Sequence, residues 1–584
     1  MFCVKCGSEI PEEGRFCPKC GYAMKEGESA QRGSTGKAVN SKINKKKFKP
    51  ACVIVPVLGV VILVAGALFL SHLNSRAEEE TRNTTETRES RASSEERGRG
   101  EEASENEADN SPPQLIKSLE NSADTGESVV EAESEEEVYT FSEEYLALMD
   151  EFTGLRNEGY EIYEAVPLVS LSMRATPESK GTTIEELSFG SYLAFDGIQE
   201  KDGNSTFLHV RDIETGVEGY VNANFAVPVD YVTDPQITMD IVDIYDDQYT
   251  YDAMMEDIAE LCQGHEDILT RQNMGKSLCG RDIPLLILGN PDADYKFMIT
   301  AGIHAREYMS SQLVMKMIEY YVDNYDLGSY DGIGYRQFLN ECAFYIMPMN
   351  NPDGISISQF GEDGITAEYV PVLRAAYESE KQNFIYIKDV NDEVAWYDNS
   401  SGNLPASAKL NDTDIPYEDY LRIWKANAAG VDLNRNFDTG WELEWGKTEP
   451  AMGNYRGPYA NSEPETKAIL AVMEMADYQC YVNYHARGQL IYYDSYGMNE
   501  YTAQVSEEWA VLFSEICRYG LSKSTEPKPT TERGTFGGLL HLVYDEPSFT
   551  VEIGKYTCPL DSSEFPSIFE RHRETWAAAC RKLL

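Results

Sequence analysis

The sequence predicts an α/β protein, a mixed and largely parallel sheet with helices on both faces, preceded by a small all-β barrel and a short cysteine-rich module. Three observations predict it. Over 231–584 apolar strand-like runs alternate with stretches of helical spacing, the pattern of a helix-covered sheet. Over 160–230 short apolar runs alternate with turn residues instead, as in a small barrel. Residues 1–24 carry two Cys-x-x-Cys-Gly knuckles in a segment too short for a hydrophobic core.

At 584 residues the chain has room for several domains. Its formal net charge of −49 excludes nucleic acid as a partner, because phosphate binding needs Lys and Arg patches.

In the first module, Cys3, Cys6, Cys17 and Cys20 sit at zinc-ligand spacing, and Gly7 and Gly21 let the backbone fold under the sulfurs. One structural Zn²⁺ would supply most of the folding free energy of so small a unit. The stretch resembles the zinc ribbon at the front of many bacterial membrane proteins. A basic linker, 25–50, ends in Lys45-Lys46-Lys47-Phe48-Lys49, and Ala51–Leu70 follows without a charge. About 20 apolar residues cross a bilayer as a helix, so 51–71 reads as a transmembrane anchor. Lysines before it and Glu78-Glu79-Glu80 after it place the N-terminus in the cytoplasm of a bacterial cell and everything later outside. Residues 72–145, rich in Glu, Ser, Asn and Arg, read as a solvated, self-repelling tether.

The barrel over 160–230 resembles the bacterial SH3-like domain at Leu171-Ser172-Met173-Arg174 and Gly219-Tyr220-Val221. Two roles fit that resemblance, contact with cell-wall peptide and a plain spacer.

In 231–584, Tyr249–Cys262 has helical spacing, and Met309, Leu313, Met317, Ile318 and Tyr321 line one face of a second helix. Strands are expected at IPLLILG, YKFMITAG, AFYIMPMN, CYVNYH and FTVEIG. His304 and Glu307 stand three apart where YKFMITAG breaks toward a helix, so one turn aims both at the same point, at the strand end where open α/β sheets place their crevices. His485 ends CYVNYH and Glu552 sits in FTVEIG, both on the same rim. Two imidazoles and a carboxylate on Zn²⁺ leave a fourth position open for water.

Taken with GKSLCGRDIPLLILG, AGIHAREY, NNPDG, GVDLNRNF, NYHARGQLIYY and FTVEIG in order, the region from Tyr249 to Trp576 resembles the zinc carboxypeptidase family. The resemblance implies that His304, Glu307 and His485 hold the catalytic zinc and that Glu552 is the general base. It also implies that Asp432 hydrogen-bonds a ligating imidazole and that Asn434 and Arg435 grip the substrate's carboxylate. The family's oxyanion-stabilising Arg is replaced, since Trp424 is followed by Lys425, a point charge without the guanidinium fork. The mobile Tyr of digestive members has no match before Gly534. HARGQLIYYD and the C-terminal stretch resemble bacterial members that cut the γ-D-glutamyl–diamino acid bond of peptidoglycan stem peptides. The expected activity is therefore a membrane-anchored extracellular zinc metallopeptidase acting on such peptides. The alternatives are a general carboxypeptidase trimming extracellular peptides and an inactive wall-binding sensor. The long segment 361–420 is expected to shape or cover the cleft. Seven cysteines between Cys262 and Cys580, an odd number, argue against a disulfide framework.

Overall fold

Seven antiparallel strands occupy the region expected to be a barrel: β1 (Glu161–Ala165), β2 (Leu171–Arg174), β3 (Thr183–Leu187), β4 (Tyr192–Asp202), β5 (Ser205–Asp212), β6 (Glu218–Asn222) and β7 (Ala226–Pro228), in the order β3-β2-β6-β5-β4-β1-β7. The computed structural model describes residues 141–167, 170–388, 394–398, 414–443, 446–522, 533–555 and 557–584. The zinc ribbon, the basic linker, the transmembrane span and nearly all of the tether lie outside the described residues. Among the described residues no helix is long and apolar enough to cross a membrane.

Alternation builds the first sheet. Leu171 and Met173 point inward from β2 and meet Leu193, Phe195, Leu208, Val210 and Val221 in a small core. Gly219 lets β6 lie flat on β2, because a Cβ there would sit 2.7 Å from Met173 Cγ and 2.8 Å from the Arg174 carbonyl oxygen. Before the sheet, Glu143–Asn157 is a helix capped by the Ser142 side chain. The last three residues of the expected tether, 143–145, are therefore helical, and Tyr145 is buried against Tyr231.

The larger sheet has eight strands: β8 (Leu269–Lys276), β9 (Asp282–Gly289), β10 (Tyr295–Thr300), β11 (Cys342–Met347), β12 (Cys480–Ala486), β13 (Leu490–Tyr492), β14 (Gly520–Ser522) and β15 (Ser548–Ile553). Their order is β14-β13-β15-β12-β10-β11-β9-β8. The four central strands, β15, β12, β10 and β11, run parallel, while β9, β8 and β13 add antiparallel pairings outside them. The sheet is thus mixed, as expected, with three parallel pairings at its centre and a fourth, β13 with β14, at one edge. The buried strands β9 and β11 read as continuous apolar runs, whereas β8 exposes most of its residues as an edge strand.

The helix Met309–Asp323 was expected to be amphipathic, yet every residue from Met309 to Val322 is buried. The linker 239–243 covers its polar side. Lys316 Nζ donates to Glu319 Oε2 at 2.7 Å and to the Val242 carbonyl at 3.1 Å, and Glu319 in turn accepts from the Ile241 and Val242 N–H groups. Each buried charge is thereby paired and hydrogen-bonded, which is what burial of charge requires.

The two sheets do not behave as beads on a string. The described residues, from 141 to 584, fall in one unit, and one hydrophobic cluster runs from Phe152 and Tyr231 through Phe297 to Trp576. Arginines of the C-terminal helices close the seam: Arg571 donates to the Asn224 carbonyl at 2.8 Å, and Arg573 pairs with Glu164 at 3.0 Å.

Beside that seam His572 is wholly buried, its ring against Tyr484 and Tyr519, and neither ring nitrogen has a hydrogen-bond partner among the described residues. Burial, with the neighbouring Arg571 charge, pushes its pKa down to about 3, and burial takes His541 down to about 4. Both stay neutral when folded, whereas the unfolded chain protonates them near pH 6.5. Their contribution is complete above pH 6.5 and is lost as pH falls from there toward the folded values, at about 1.4 kcal/mol per pH unit for each group. His572→Phe keeps the ring contacts and removes two unpaired nitrogens. The urea midpoint of the full chain should be equal or higher in this variant at pH 7 and should fall less between pH 7 and 5. An unchanged fall would contradict the assignment.

Candidate metal centre

The site forms where the central parallel strands end. After β10 the chain turns at Gly302 (φ +63°), where a Cβ would lie 2.5 Å from Ser311 Oγ. His304 then caps a short 3₁₀ turn, Ala305–Glu307, that brings Glu307 to the same side. Pairing of Thr300 with Asn483 carries β12 just past β10, and pairing of His485 with Glu552 sets the base candidate beside the second imidazole.

Glu307 sits between the two histidines. His304 Nδ1 is 2.9 Å from its Oε1 and His485 Nδ1 is 2.9 Å from its Oε2, which also accepts the Ala486 N–H at 3.2 Å. Ligand atoms of all three residues lie within 4.8 Å of one another, and all three are buried. Both imidazoles turn the same nitrogen to one carboxylate, so a cation there is met by two lone pairs and a negative charge. That donor set suits zinc. Behind it, His304 Nε2 lies 3.3 Å from Asp432 Oδ1, and neither buried atom has an aligned hydrogen bond among the described residues. A proton held on Nε2 leaves Nδ1 free to ligate. The residues present therefore fit the metal.

Electrostatics sort the remaining groups. Burial works against the Glu307 carboxylate, but His304 and His485 outweigh it and hold its pKa well below the usual range. Asp432 is opposed by burial in the same way and is held well below by Lys425 and His304. Burial lowers the Lys425 pKa while Asp432, 4.0 Å away, counters it. Glu552 goes the other way: burial raises it to about 7, with His485 opposing and Glu307 adding to the rise.

A cleft of about 1740 Å³ opens over the site, lined by His304, Glu307, His485, Glu552, Lys425, Asn434 and Arg435. Asn434 Oδ1 accepts the Phe536 N–H at 2.9 Å, which leaves its amide hydrogens to donate. Gly534 (φ +68°) lies across this turn, since a Cβ there would be 2.1 Å from the Arg435 carbonyl oxygen. Asp432 stands behind the cleft, fully buried, accepting the Asn454 N–H at 2.9 Å. Cys3, Cys6, Cys17 and Cys20 lie outside the described residues. The structure also brings to the cleft two residues not assigned from sequence, Arg306 inside the His304–Glu307 motif and Arg487 just past His485. From the 361–420 segment come Gly361, Glu362, Asp363, Tyr417, Glu418 and Asp419. The signal for both arginines was their place beside a ligand, with nothing in the pattern to say which way they point.

Residues 254–532 match the zinc carboxypeptidase family model, and residues 2–24 match a zinc-ribbon domain. The chain carries a zinc carboxypeptidase domain. It is a metallopeptidase, and its metal is zinc. Over 328 residues it is 25% identical to gamma-D-glutamyl-L-diamino acid endopeptidase 1 of Lysinibacillus sphaericus, spanning 55% of this chain and 69% of that one. It is 23% identical over 311 residues to carboxypeptidase B of Canis lupus familiaris, spanning 51% and 62%. A solved structure of bovine thrombin-activatable fibrinolysis inhibitor in complex with tick carboxypeptidase inhibitor aligns at 18% identity with a TM-score of 0.40, covering 59% of this chain and all of that one. The zinc carboxypeptidase match ends before Glu552, which pairing of β15 with β12 ties to the matched part.

If Asp432 holds the proton of His304, Asp432→Asn should weaken zinc binding about 10- to 100-fold in competition with a chromogenic chelator. Zinc affinity equal to the parent's would exclude that role.

Proposed function

We propose that the chain is a single-pass bacterial membrane protein whose extracellular zinc peptidase domain cleaves the γ-D-glutamyl–diamino acid bond of peptidoglycan stem peptides. The observation that carries the peptidase chemistry is the His304–Glu307–His485 cluster with Glu552 on the adjacent strand. The substrate class is supported by the Lysinibacillus relative's name, by Lys425 in place of the digestive enzymes' Arg, and by a predicted anchor that would put the enzyme beside the wall. The SH3-like region is assigned as its wall-facing module, and Cys3, Cys6, Cys17 and Cys20 as holders of a second, structural zinc.

When bound, zinc acts as a Lewis acid that brings the pKa of a coordinated water near 7. Glu552 takes a proton from the attacking water and later returns it to the leaving amine, a role suited to a carboxyl poised near neutrality. Lys425 places its ammonium against the developing oxyanion. Asn434 and Arg435 would fix the diamino acid's carboxylate and so hold the scissile amide beside the His304–Glu307–His485 cluster and not elsewhere in the cleft. Asp432 keeps His304 in the ligating tautomer.

One observation favours a second reading: an Asn434–Arg435 clamp suits any free C-terminal carboxylate, as a general carboxypeptidase requires. The full chain should therefore be incubated with a stem tripeptide and with ordinary C-terminal peptide reporters. Release of the diamino acid from the stem peptide alone, abolished by chelator, is the expected result, whereas cleavage of the ordinary reporters alone selects the second reading. Glu552→Gln should lower kcat by about 10²- to 10⁴-fold at unchanged zinc content, and full activity in that variant would remove Glu552 from the mechanism.

A further inference from the structure

The cleft sets several cationic side chains among its carboxylates. Five cations, Arg306, Arg422, Lys425, Arg435 and Arg487, line it with eight carboxylates, and Arg422 is paired with Asp419 at 3.7 Å. Lys425 is committed to Asp432 and the oxyanion position, and Arg435 to the carboxylate of the leaving residue. We propose that Arg487 reads a second substrate carboxylate, the free α-carboxylate of the glutamyl residue whose γ-carbonyl is cleaved; this rests on the stem-peptide reading above.

The backbone around Arg487 is fixed to the reacting centre on both sides. Before it, the Ala486 N–H is bonded to Glu307 Oε2. After it, the Gly488 and Gln489 N–H groups both donate to the Gly554 carbonyl at 3.0 Å, two residues beyond Glu552. Arg487 is therefore held close to both His485 and Glu552. Its charge acts on Cys558, whose thiol donates to the Arg306 carbonyl. Arg435 belongs to another wall, the turn packed under Gly534 and bonded to Phe536.

The chemistry of a γ-linked glutamate matches this division. Its α-carboxylate is four bonds from the scissile carbonyl carbon, about 5 Å at ordinary bond lengths. An α-linked residue offers a neutral amide near that place instead, and amidation of the α-carboxylate removes the charge while keeping the shape. A guanidinium binds a carboxylate through two parallel hydrogen bonds, which a carboxamide cannot accept. Arg487 thus selects the γ-linked acid on one side of the metal, while Asn434 and Arg435 hold the diamino acid on the other.

The test compares the zinc-loaded full chain with Arg487→Gln and Arg487→Lys on two tripeptides, one with the free glutamyl α-carboxylate and one with its carboxamide. The parent should cleave the acid with kcat/KM roughly 10- to 100-fold higher than the amide. Arg487→Gln should fall to the amide's value on the acid and be unchanged on the amide, with Arg487→Lys between, all at parental zinc content and urea midpoint. Equal rates of the parent on both peptides, discrimination kept in Arg487→Gln, or equal loss on both peptides in both variants would each overturn the proposal. Cleavage of neither peptide by the parent would instead overturn the stem-peptide reading on which it rests.

Discussion

One buried carboxylate holds the site together. Glu307 lies 2.9 Å from Nδ1 of each imidazole and accepts the Ala486 N–H, so its position requires that β10 and β12 end at the same level and that the 3₁₀ turn after Gly302 stay tight. Parallel pairing of β10 with β12 and of β12 with β15 supplies that level. The sheet is buried, with β10 and β12 covered on both sides, which is the condition under which parallel strands persist. A change that slipped β12 by one residue would turn His485 to the opposite face and leave Glu307 buried with one partner.

Much of this was legible because short-range chemistry has a local signature. The three-residue spacing of His304 and Glu307 after a strand-like run needs only one turn of chain to be read, and Val431–Phe437 carries its Asp, Asn and Arg in a single turn. The strands IPLLILG, AFYIMPMN and CYVNYH were visible as buried apolar runs. The edge strand β8 was not, because TRQNMGK has no apolar face and is held by pairing with β9. The burial of Met309–Val322 was equally hidden. Its polar face is matched by a linker some seventy residues earlier in sequence, and periodicity cannot report a partner that distant.

Packing of the seven-stranded sheet against the catalytic sheet escaped the sequence for a related reason. A shift from short β runs to alternating α and β elements marks two architectures, yet it says nothing about the surface between them. Here that surface contains Phe152, Tyr231 and Trp576 in one continuous cluster, with Arg571, Arg573 and Arg518 bonded across it. Apolar burial drives such contact without direction, while arginine bonds to carbonyl and carboxylate oxygens fix the orientation. The β-rich region is thus a built-in part of the unit that carries the metal centre.

If Lys425 takes the oxyanion role, as proposed above, it changes what Asp432 must do. An ammonium is strongly hydrated and loses its charge more readily than a guanidinium when buried, and burial lowers the Lys425 pKa. Asp432 opposes that from 4.0 Å while its other oxygen faces His304 Nε2 at 3.3 Å. In the proposed mechanism the same carboxylate supports a metal ligand and the charge opposite the oxyanion position, and it is held by the Asn454 N–H at 2.9 Å. In an enzyme with Arg at 425 the second task would largely disappear, since a guanidinium stays protonated without help. On the proposed mechanism, Lys425 and the wholly buried Asp432 form a matched set, and exchanging either member alone would disturb both the metal site and the oxyanion position.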